Sequence, residues 1–169
     1  MTPVRSRTVA AMAMVPEDVE FLPSERDTVV ARMRDLARDH AGWINFAPVL
    51  PEGVEAPRQG LLRFLGARGP EALMATWVPG EPRKDGYGPT TIGVQHALGR
   101  RLVMGKGALG LAVPDGWRVV QDHPARGLVA QVPDDADLDD VVGWLLATAT
   151  EATSLPVTGK WRAQVYSAT

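Results

Sequence analysis

A chain of 169 residues with 45% apolar and 22% charged side chains has the size and composition of one globular domain that can bury a core, which excludes wholesale disorder. Its 18 basic and 20 acidic residues leave a formal charge of -2, too weak a field to draw the chain to nucleic acid or an anionic membrane. The absence of cysteine excludes disulfides, thiol nucleophiles and thiolate metal sites, and no apolar run approaches the ~20 residues of a membrane-spanning helix.

The first residues set Arg5 and Arg7 before the apolar stretch Thr8 to Val15, which has the outline of a secretory leader. That stretch is short and lacks Leu and Phe, so it reads as a first strand, and the expected compartment is the cytoplasm. A helix follows from Ser24, a capping residue with an acid, Asp27, three positions on, to about Asp39; Val29, Met33, Leu36 and Ala37 form its apolar face.

Residues 41–60 carry Trp43, Asn45 and Phe46 and then Pro48, Pro51, Gly53 and Pro57, a density of turn formers that predicts a long loop. Leu61 to Leu65 and Ala72 to Val78 are expected as paired strands. A second long loop at 79–89, rich in Gly and Pro and carrying Tyr87, is expected to act as a flap. Val94, Leu98 and Leu102 are spaced for a helix over at least Gln95 to Met104, stopped by Gly105, although Thr91 to Val94 also suits a strand.

Trp117 to Gln121 and Leu128 to Val132 read as a hairpin pair around the turn Asp122-His123-Pro124-Ala125-Arg126-Gly127. The acidic run Asp134 to Asp140 opens a last helix to about Ala152, and Lys160 to Tyr166 closes the chain as an alternating strand. The sum is an α+β fold: one domain over 1–169, a mixed or antiparallel sheet, and about three helices packed mainly on one face.

Chemistry is harder to locate. Gly105 to Gly110 matches G-x-G-x-x-G, but Pro114 and the Asp115-Gly116 turn leave no room for the helix that a dinucleotide site requires. The histidines His40, His96 and His123 are scattered singly, without the spacing of metal ligands, so neither a metal nor another cofactor is expected. His40, at the end of the first helix, suits the negative pole of the helix dipole. In the hairpin turn, the simplest reading has Asp122 accepting turn amides while His123 and Arg126 cap strand ends.

Two functions are compatible with these residues. One is a non-catalytic binding or interaction module for a small molecule or a protein, as a monomer or a homodimer, acting through Trp43, Asn45, Tyr87, Arg100 and Trp144. Trp144 stands out because it falls off the apolar face of the last helix. The alternative is a small hydrolase- or isomerase-like enzyme with His96 and His123 as acid and base, Asp122 as orienter and Arg126 or Arg100 as anion clamp. That alternative requires His96 and His123 to share a cleft.

Overall fold

The computed structural model describes residues 15–54, 74–96, 98–105 and 108–167. The expected strands at Thr8 to Val15 and Leu61 to Leu65 lie outside or largely outside these residues. The elements run β1 (Glu17–Phe21), α1 (Asp27–Asp39), β2 (Trp43–Pro48), β3 (Met74–Val78), β4 (Pro82–Arg83), β5 (Gly86–Tyr87), β6 (Thr90–Gln95), β7 (Arg118–His123), β8 (Gly127–Val132), α2 (Leu138–Glu151) and β9 (Trp161–Tyr166). Seven strands form one sheet in the order β1-β9-β2-β3-β6-β8-β7, with every neighbouring pair antiparallel. The fold is therefore α+β, with an antiparallel sheet and two helices among the described residues.

Alternation sorts the sheet into two faces. Phe46, Ala75, Val94 and Leu128 stand in register across four neighbouring strands, as do Ile44, Trp77, Ile92 and Ala130, and all eight are buried. Val29, Met33 and Leu36 of α1 and Val141, Leu145 and Ala149 of α2 complete this core. The two helices touch each other, α2 lies over β3 and β6, and Ala37 of α1 shares a small cleft with Trp77 and Leu138. Both helices thus cover one face. The opposite face carries Trp43 stacked on Tyr166 at 4.6 Å and Asn45 accepting a hydrogen bond from the Thr76 hydroxyl at 2.9 Å. Trp43, Asn45, Thr76 and Gln131 on that face are half-buried, in contrast to the fully buried core side.

Four expectations change. Residues 43–48 form β2 within what the prolines mark as a loop: Ile44 and Phe46 alternate inward, and Pro48 falls on the last strand residue, where the sequence runs out of alternation. The helix over Gln95 to Met104 does not form. Gln95 instead ends β6, because Ile92 and Val94 follow a two-residue period, and 98–105 is a series of bends whose backbone is bound elsewhere. Helix α1 starts later than Ser24 implies: its N-cap is Arg26, with no side-chain cap, and Asp27 lies in its first turn. Finally, 79–89 holds the β4–β5 ribbon, whose Tyr87 stacks on His40 at 3.5 Å. His40 closes α1 in the left-handed conformation, and its Nδ1–H donates to the Gly80 carbonyl at 2.9 Å, so the ring is turned to the ribbon rather than to the last carbonyls of its own helix.

Candidate functional site: a groove beside the second helix

Helix α2 presents its apolar side to the sheet through Val141, Val142, Leu145, Leu146 and Ala149. Its first turn is well prepared: the Asp137 carboxylate caps the Asp139 amide at 2.8 Å, and Asp139 and Asp140 sit at the positive end of the dipole. On its other side, Trp144, Ala147 and Glu151 fall at three- and four-residue spacing, so they share one stripe. Ala147 between two large residues leaves a trough. The trough opens into a groove of about 560 Å³ lined mainly by apolar groups, with Trp161 of β9 and Leu111 and Ala112 as further walls.

Trp144 is held firmly. Its indole N–H donates to the Ala112 carbonyl at 2.9 Å, and its ring meets Trp117 edge-on with centroids 5.1 Å apart. Arg26 crosses the groove near Trp144, where Gly143 offers only a backbone surface to its guanidinium. That guanidinium is already engaged: Nε donates to Asp139 at 2.6 Å, Nη2 makes a second ion-pair bond to the same carboxylate, and Nη1 donates to the Pro23 carbonyl at 2.9 Å. The bidentate hydrogen bond with Asp139 raises the Arg26 pKa further and lowers that of Asp139.

The wall at 111–112 depends on Asp122. Its carboxylate accepts the amides of Leu102 and Val103 at 2.9 Å each and of Met104 at 2.7 Å. Burial pushes the Asp122 pKa up, but the three amide bonds outweigh it and hold the carboxyl below its usual range. The loop fixed in this way binds back on itself, Leu109 N–H to the Arg101 carbonyl and Leu111 N–H to the Leu102 carbonyl at 3.1 Å each. Asp122 therefore anchors the segment that carries Leu111 and Ala112. The expected turn roles are exchanged: His123 Nδ1 accepts the Ala125 and Arg126 amides at 3.0 and 3.2 Å, whereas Asp122 reaches away to another loop.

Comparison with protein-family models, curated proteins and solved structures finds no match for this chain.

The residues proposed for acid–base chemistry divide between the sheet faces. Asp122 pairs with Leu128, which pairs with Val94, so its side chain belongs to the core side. His96, two residues beyond Val94, follows that alternation and is 1% exposed, close enough to feel the Asp122 charge. His123 is in register with Gly127, one step out of phase, on the opposite side, with Nδ1 occupied. Arg126 is exposed and borders a shallow pocket with Gln95 and Thr91, on the sheet face away from the helices. Trp43 and Asn45 lie on that face, Tyr87 lies on the ribbon, Arg100 is exposed in the 98–105 bends, and only Trp144 lines the large groove. Among the described residues, no three His, Asp or Glu side chains converge as metal ligands.

His96 has a measurable signature. Both ring nitrogens are buried without a hydrogen-bond partner among the described residues, and desolvation lowers its pKa, partly offset by the Asp122 carboxylate. The unfolded chain, with a His pKa of about 6.5, takes up a proton as pH falls that the folded chain resists, so this contribution is complete above pH ~6.5 and is lost below it. Urea midpoints at pH 7.5 and 5.0 should differ more for the native chain than for His96→Leu. The variant should also gain roughly 1 kcal/mol at pH 7.5, because it removes a polar group buried without partners. Equal pH responses in the two proteins would show that His96 does not carry this term.

Proposed function

We propose that this chain is a non-catalytic binding module whose ligand seats in the groove between Trp144, Trp161 and the 111–112 segment. The observation that carries this reading is the groove itself: about 560 Å³, largely apolar, walled by two tryptophans and held in shape by the hydrogen bonds of Trp144 and Asp122. That volume lies in the range of small-molecule sites, and a preformed wall spares a ligand the cost of ordering it. The acid–base alternative has less support, because the register sends His96 and His123 to opposite sides of the sheet.

The test is filling the trough. 1-Octanol titrated into the labelled protein should shift the indole N–H resonances of Trp144 and Trp161, and Ala147→Phe should abolish those shifts while leaving the rest of the spectrum folded. Ala147 is exposed on α2, so the larger ring adds bulk to the groove without entering the core. Shifts unchanged in Ala147→Phe, or a native protein that responds to no apolar probe, would remove the groove as a ligand site.

A further inference from the structure

We infer that the groove selects a small organic cation, an apolar body of about 10 Å ending in an amine; the inference rests on the groove being a ligand site. Trp144 and Glu151 are seven residues apart on one stripe of α2, which at 1.5 Å per residue separates them by about 10 Å along the axis. An apolar chain lying over Ala147 would place its head at Glu151.

Two features give that end a negative character. Glu151 is an exposed carboxylate with no cationic partner among the described residues. It is the last residue of α2, where the dipole leaves partial negative charge, and the last turn has no basic residue to offset it. Trp144 and Trp161 also line the groove, and aromatic rings along its length favour a cationic over an anionic ligand. Arg26, the one positive group lining the groove among the described residues, does not reverse this balance, because its guanidinium is spent on Asp139 and the Pro23 carbonyl. An anionic ligand would meet Glu151 and the helix terminus with no free cation among the described lining residues to pair with it.

Octylamine, 1-octanol and octanoate share one chain and differ in the charge of the head, so titrating each into the whole protein separates charge from apolar burial. The amine is expected to bind about tenfold more tightly than the alcohol, from one partly exposed ion pair plus aromatic attraction, and octanoate should bind weakest. Glu151→Gln should bring amine and alcohol to within a few-fold of each other, with the indole shifts of Trp144 retained. An amine that binds no better than the alcohol, or an amine preference that keeps its full size in Glu151→Gln, overturns the cation inference and leaves the groove reading intact. If none of the three shifts the indole resonances, the groove reading fails and the inference falls with it.

Discussion

Replacing Asp122 by Ala is expected to cost about 3–5 kcal/mol, because it strands three backbone N–H groups that have a charged acceptor in the native protein. Leu102, whose amide is one of the three, is fully buried and has little access to water as a substitute partner. Asp122→Asn should fall between the two, since an amide oxygen can accept but carries no charge. The same anchor gives a pH dependence. The folded pKa lies below the unfolded value of about 3.9, so its contribution is complete above that value and is lost as pH falls through the folded pKa. Urea unfolding at pH 7 and pH 3 should show a native chain that loses part of this stability at the lower pH and an Ala variant that lacks it at both. The variant should also lose octanol binding, because the Leu111–Ala112 wall hangs on the loop that Asp122 holds. A variant of native stability would mean that water replaces the carboxylate without penalty.

The second large effect is expected at Gly127, where β8 begins. Its φ of 84° lies in the left-handed region, and a Cβ there would overlap the Val94 carbonyl oxygen of β6. Gly127→Ala combines a backbone penalty of roughly 1–2 kcal/mol with a clash relieved only by parting β6 from β8, so a total near 3 kcal/mol or more is expected. Gly53→Ala is the control: its φ is also positive, at 82°, but none of the described residues lies within 4 Å of the added carbon, so only the backbone penalty is expected. Thermal unfolding of the two variants separates strain from clash. Equal losses would show that the approach of β8 to β6 carries no cost of its own.

These two positions also mark where the sequence was legible. The β7–β8 hairpin is readable from its β-branched runs around a turn, and α1, α2 and β9 from apolar spacing, because each of those patterns is local. The missing third helix shows the opposite case. Val94, Leu98 and Leu102 recur every four residues, yet Val94 faces the core from a strand and Leu102 is buried in a bend whose amide is held by a residue twenty positions away. A side-chain spacing cannot reveal where a backbone amide is satisfied. Trp144 could be singled out because it leaves the apolar stripe of α2, but its companions Arg26, Ala112 and Trp161 come from three distant stretches and join it only through the fold. Glu151, at the end of that stripe, carried a signal that went unread: an acid in the last turn of a helix with no base beside it.

The position of β9 bears on the timing of folding. It lies between β1 and β2, so two strands from the first part of the chain have no shared partner until residues 161–166 exist. At ribosomal speeds of about 5–20 residues per second, β2 waits on the order of ten seconds for its neighbour to be made. Through that interval β1 and β2 lack the partner that they share among the described strands, and Glu17, Asp18 and Glu20 give β1 the repulsive charge that discourages pairing with other nascent chains. The last strand thus acts as a keystone set after the arch is raised, and the acids of the first strand guard the gap until it arrives.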